Sequence, residues 1–159
     1  MARASLTSVL RRLVQAGRTV ASSAPSAPPA RGGLDTTWAG DADGRPDPGE
    51  IVWTWVPYED DPAQGKDRPV LLIGRRDAST LVGLQLTSKD HDRDAAQEAR
   101  AGRHWMDIGS GAWDARGRAS EVRLNRLIEV REQDVRREGA VLDRAVYERV
   151  VAAARQYLP

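Results

Sequence analysis

The feature that most restricts the fold is a series of short segments between Glu50 and Val130 that are apolar on both sides. "EIVWTWVPY" sets Ile51, Trp53 and Trp55 on one side of a strand and Val52, Thr54 and Val56 on the other, so both sides need cover. Trp53 and Trp55 are therefore expected in the core or in a dimer interface. "RPVLLIGR" reads as a second strand, opened by Pro69, whose missing amide suits a first or edge position. After the turn "RDAS" comes "TLVGLQLTS", where Gly83 predicts a bulge or a tight bend. "HWMDIGSGAW" and "SEVRLNRLIEV" add further strands on either side of a Gly- and Arg-rich loop. Five or so short strands in about 80 residues predict a small closed barrel, mainly β. A C-terminal helix follows in "VLDRAVYERVVAAARQYL". Asp143 is its candidate N-cap, and Val146, Val150, Ala153, Ala154 and Tyr157 form a stripe to lay over the barrel.

None of this pattern precedes Gly49. Residues 1–48 read as a basic extension and an Ala/Pro/Gly-rich linker, expected to be disordered, with a candidate amphipathic helix at 4–17. Residues 49–159 read as the one folded domain. The formal net charge of +1 conceals an uneven distribution, because residues 1–33 carry five arginines and no acid. The remainder has 19 basic against 23 acidic side chains, a balance of −4, so the folded part is no general polyanion binder. Any handling of nucleic acid has to rest on a local cluster of arginines.

The absence of cysteine excludes disulfides, thiolate metal sites and cysteine nucleophiles. Two histidines, His91 and His104, are too few for a zinc cluster, and no cofactor is expected. No apolar run of about 18 residues exists, so no transmembrane helix is expected. The N-terminus also lacks the continuous apolar stretch of a secretory signal.

The order of the pieces carries further information. "GEIVW" opens the first strand, a polar loop ends in "GKDRPVLLI", the third strand ends in "LQLTS", and "EVRLNRLIEV" precedes the terminal helix. Together, over residues 49–158, they resemble the PemK/MazF family of toxin ribonucleases. The resemblance implies an SH3-like barrel, usually a homodimer in the bacterial cytoplasm. It implies metal-independent cutting of single-stranded mRNA, and silencing by an antitoxin protein whose tail fills the RNA groove. It further implies that Arg68 and Thr87 are catalytic, and that Arg123 and Asn125 match an arginine and an aspartate that act in one branch of the family. Asn125 departs from that pattern, since an amide cannot accept a proton as a carboxylate does. A loop histidine of the same branch falls here near Asp61.

The residue types suit such chemistry. Metal-free RNA cleavage needs the 2′-hydroxyl to attack its own phosphate, giving 2′,3′-cyclic phosphate and 5′-hydroxyl ends. Three tasks follow: the 2′ proton must be removed, the charge growing on phosphate held and the 5′ oxygen protonated. Guanidinium forks match two phosphate oxygens, and Arg68 and Arg123 are candidates to flank one. Thr87 and Ser88 offer hydroxyl donors. His91, as a histidine, is a candidate acid or base, beside Asp60 and Asp61 in the loop before Arg68. Asp61, Gln64 and Lys66 in that loop, with Ser88, Trp113 and Arg116, are candidate substrate contacts. Trp113 is either a base-stacking platform or a ring tucked onto the barrel. Two non-catalytic alternatives stay open: an SH3-like barrel that binds a protein target, as CcdB-type toxins bind a topoisomerase, and a degenerate family member kept for RNA binding.

Overall fold

In the computed structural model, which describes residues 33–41 and 43–158, the apolar segments become six strands. They are β1 (Glu50–Pro57), β2 (Gly65–Arg75), β3 (Thr80–Thr87), β4 (Trp105–Gly109), β5 (Ser120–Arg131) and β6 (Val135–Val141). All pair antiparallel in one sheet of order β4-β5-β3-β2-β1-β6. The sheet curls into a half-barrel that is mainly β with one C-terminal helix, the expected fold class. Its edge strands β4 and β6 are not neighbours, so the barrel is open along that seam among the described residues. A short helix α1 (Ala95–Arg100) leads into β4, and α2 (Arg144–Ala154) closes the chain. No helix among the described residues is long and apolar enough to cross a membrane.

Both faces of the sheet are covered, which is why its strands lack a polar side. On one face Ile51, Leu71, Ile73, Leu84 and Leu86 meet Tyr147, Val150, Val151 and Ala154 of α2. On the other, Val52, Val56, Val70, Leu72, Leu81, Ile128 and Val130 form a second, smaller core. Asp143 is the helix cap, its carboxylate accepting from the backbone N–H groups of Ala145 and Val146 at 3.0 and 3.2 Å. Of the predicted stripe, Val150 and Ala154 are buried, while Val146, Ala153 and Tyr157 pack half-buried against the same core. Tyr147, outside that stripe, is 1% exposed. Trp53 is half-buried and Trp55 is 46% exposed, so neither fills the core.

The folded region reaches upstream of Gly49. Asp35 and Arg75 exchange two backbone hydrogen bonds, of 3.0 and 2.8 Å, and Leu34 and Trp38 pack on the larger core. The candidate helix at 4–17 lies outside the described residues, as does the part of the expected linker before Gly33. Helix α1 and strand β6 were not anticipated: α1 buries none of its residues, and β6 is an edge strand without a continuous apolar side.

Gly83 is needed for close approach, since it stays in register opposite Ile128. A Cβ there would stand 2.3 Å from Val70 Cγ1 and 2.9 Å from the Leu71 carbonyl oxygen. The register shifts fall beside it instead, between Leu72 and Gly74 of β2 and between Leu84 and Leu86 of β3. Gly83→Ala is expected to cost about 2 kcal/mol through overpacking, read as a lowered midpoint of urea unfolding.

Candidate functional site

Strand register builds the site. Gly65 opens β2 opposite Pro57, where any Cβ would lie 2.4 Å from the Val56 carbonyl oxygen. Glycine thus lets β2 begin hard against β1 and sets Arg68 opposite Thr54. Two residues on, Val70 pairs with Gln85 of β3. Antiparallel alternation then brings Arg68 and Thr87 to one face at the diverging ends of the two strands. Thr87 in turn pairs with Glu121 of β5.

Arg68, Thr87 and Ser88 line a groove of about 420 Å³ together with Lys66, Arg116 and Arg118. The Arg68 side chain makes no hydrogen bond or ion pair among the described residues. Its neighbour Asp67 faces Arg136 instead, 3.6 Å away. Thr87 Oγ1 accepts from the Lys89 amide at 3.2 Å, which fixes its rotamer and leaves its proton to donate. Trp113 lines this groove by one edge but is 6% exposed, its indole N–H donating to Ser120 Oγ at 3.0 Å. Of the two positions the sequence left open for this ring, the tucked one is observed.

Arg68 is also a wall of a second cavity, of about 400 Å³, shared with Glu59, Gln85, Arg103 and Arg126. Arg123 is joined to this cavity through Glu59: it is 5% exposed, with both terminal nitrogens donating to the two carboxylate oxygens of Glu59. Arg126 donates to Gln85 Oε1 at 2.9 Å and to the Pro57 carbonyl. Partial burial lowers its pKa; Glu59 opposes that shift, while Arg123 and Arg68 add to it, so all four charges belong to one cluster. Hydrogen bonding from Arg123, above all, holds the Glu59 carboxyl below the usual carboxylate range. Desolvation works against this shift, and the charges of Arg123, Arg126 and Arg103 reinforce it.

A family profile described as "PemK-like, MazF-like toxin of type II toxin-antitoxin system" matches residues 47–158. The chain belongs to this family. Comparison with curated proteins found no match. Among solved structures, the chain is similar to one in the crystal structure of MazE-MazF (Form-II) from Deinococcus radiodurans. The two are 16% identical, the match covers 70% of this chain and 93% of that one, and the TM-score is 0.48.

In this PemK/MazF-like toxin the sequence-predicted residues separate into three groups. Arg68, Thr87, Ser88, Lys66, Trp113 and Arg116 share the first groove. Arg123 and Asn125 stand behind the second cavity, joined by an Arg123 Nε to Asn125 Oδ1 hydrogen bond of 3.3 Å. Asn125 Nδ2 donates to the Gly102 carbonyl and Oδ1 also accepts from the His104 amide at 3.2 Å. An aspartate there could not donate to Gly102, which gives the amide a structural reason.

Of the remaining candidates, Asp61, Gln64 and His91 stand apart from both cavities. Asp61 and Gln64 bond to each other at 2.8 Å and brace the β1–β2 loop. His91 is 7% exposed, stacked on Trp105 at 4.4 Å, with Nδ1 2.6 Å from the buried Glu121 carboxylate. Asp60 lines the second cavity. Glu59 and Arg126 were missed in the sequence, although Arg126 directly follows the Arg123/Asn125 pair and Glu59 opens the acidic run that suggested Asp60 and Asp61. Among the described residues, no three His, Asp or Glu side chains gather as metal ligands.

Proposed function

We propose that the chain is an endoribonuclease toxin that cuts single-stranded mRNA by attack of the 2′-hydroxyl on the adjacent phosphate. The observation that carries this reading is Arg68. It is a half-buried guanidinium with no protein partner among the described residues, opening into a groove lined by Thr87, Ser88 and three further cations. A partly desolvated cation left unpaired is poised for an anion from outside, and its place on a strand keeps the fork preorganised. The Thr87 and Ser88 hydroxyls can donate to the same phosphate oxygens as negative charge grows on them. The groove is lined by four cations, Arg68, Lys66, Arg116 and Arg118, against two acids, Asp67 and Asp114, of which Asp114 pairs with Arg118, so it keeps a local positive excess that the folded part with net negative charge otherwise lacks.

The family description implies an antitoxin partner for this toxin. An acidic antitoxin segment lying in the cationic groove would compete directly with RNA. We read the toxin as a homodimer of the bacterial cytoplasm, with Trp55, the most exposed of the large hydrophobic side chains among the described residues, available to such an interface. The test is to incubate the purified chain with a defined RNA in EDTA and analyse the ends. Cyclic phosphate and 5′-hydroxyl termini are expected; intact RNA, or 5′-phosphate ends from attack by water, overturns the assignment.

A further inference from the structure

The ribonuclease reading requires an acceptor for the 2′ proton, and which side chain can serve depends on which are accessible. Arg123 is not: its side chain is 5% exposed, Nε is taken by Asn125, and both terminal nitrogens are taken by Glu59. A phosphodiester entering from Arg68 would therefore meet the carboxylate lying over Arg123, because the Glu59 side chain is 52% exposed. The arrangement is a buried cation, fixed by an amide, that presents an oriented carboxylate at a cavity shared with Arg68.

Glu59 also accepts from an arginine, but it is held by a buried one at a cavity that Arg68 lines, whereas the other carboxylates near the two cavities are held elsewhere or undirected. Asp67 faces Arg136, Asp114 accepts from Arg118 and from the Arg116 amide, and Asp61 is bound to Gln64 and to the Ala63 amide. Glu121 is buried against His91. Asp60 lines the Glu59 cavity, but no hydrogen bond or ion pair among the described residues aims it.

Building on the proposed ribonuclease function, we propose that Glu59 is the general base of the reaction and that Arg123 and Asn125 are positioning residues that hold it. Glu59 takes the 2′ proton as O2′ bonds to phosphorus and the bond from phosphorus to O5′ breaks. Through a water molecule the same proton reaches O5′, so no water is consumed. Five charges face Glu59: Arg123 and Arg126 from β5, Arg103 from the loop ahead of β4, Arg68 from β2, and Asp60 on its own loop. The arginines keep the carboxylate ionised at neutral pH. The rate therefore depends on this group only in acid, falling as pH drops through its lowered pKa.

The experiment uses the full chain, an RNA oligonucleotide for single-turnover rates from pH 4 to 9, and the same sequence in deoxyribose for binding. Glu59→Gln is expected to slow cleavage about 100-fold, the low end for a lost general base, with deoxy-oligonucleotide binding retained and with a lowered melting temperature in a protein that still folds, because the buried Arg123 loses its counter-charge. Glu59→Asp should recover part of the rate. Arg123→Gln should shift the acidic limb of the rate profile upward, towards an ordinary glutamate.

If Glu59→Gln cleaves as fast as wild type, the base assignment fails; if it cleaves faster, Glu59 is an occupant that phosphate displaces, and the assignment fails equally. An acidic limb unmoved in a folded Arg123→Gln overturns the positioning role. Should Arg123→Gln not fold, the Glu59→Gln and Glu59→Asp rates decide alone. Absence of cleavage by the wild type would instead overturn the ribonuclease reading itself.

Discussion

Arg68→Ala is expected to lower RNA cleavage about 1000-fold while leaving thermal unfolding almost unchanged. The two halves of this expectation share a cause. The Arg68 side chain has no hydrogen bond or ion pair among the described residues, so truncation breaks no native contact of that kind and leaves no buried acid unpaired. On the proposed mechanism its fork meets the phosphate as charge develops there, and loss of one preorganised donor costs on the order of 10²–10³ in rate, with loss of the cation adding to it. Arg68→Lys separates charge from shape. A point charge retains electrostatic attraction but not the two-pronged geometry, so most of the rate should still be lost while RNA binding weakens little. Single-turnover cleavage beside a melting curve checks both variants. An Arg68→Ala protein that cleaves normally would remove the group on which the proposed function rests.

What the sequence disclosed depended on how local each constraint was. Arg68 and Thr87 were singled out by the family resemblance, and their meeting at one groove follows from two-residue alternation along adjacent strands, with a glycine three positions before Arg68 where pairing starts. The Asp143 cap and the burial of Val150 and Ala154 follow from helical spacing. Glu59 was not legible, because its significance arises from Arg123, 64 residues further along. Within "EDD" nothing distinguishes the first acid from its neighbours. The amide of Asn125 looked like a departure until Gly102 and His104 were seen to use both of its ends. The stretch around Leu34 and Trp38 was assigned to the linker because its Pro and Gly content outweighs two apolar residues, which then find sites on a core formed by distant strands. His91 carries no sequence sign of burial, since its partners come from β4 and β5.

Tyr147→Ala should be the most destabilising single truncation considered for this fold, at about 4 kcal/mol, because it removes a buried aromatic side chain and a hydroxyl that bonds to two other segments. The ring of Tyr147 lies in the larger core, and its hydroxyl donates to the carbonyl oxygens of Thr36 and Ile73, each 2.8 Å away. One side chain thus ties α2 to the interior of β2 and to the N-terminal segment. Burial raises the phenol's pKa, the nearby Asp35 adding to the effect, so the hydroxyl keeps its donating proton throughout the neutral range. Tyr147→Phe isolates the polar part: it keeps nearly all the packing but leaves two carbonyl oxygens without this donor, for an expected loss of about 1–2 kcal/mol. Typical domain stabilities are about 5–15 kcal/mol, so the alanine variant would give up a large share of the total and the phenylalanine variant a modest one. Urea unfolding of both measures the difference. Equal losses would place the stabilisation in the hydroxyl, whereas a phenylalanine variant as stable as wild type would place it in the ring and show that the segment around Thr36 is held by Leu34 and Trp38 instead.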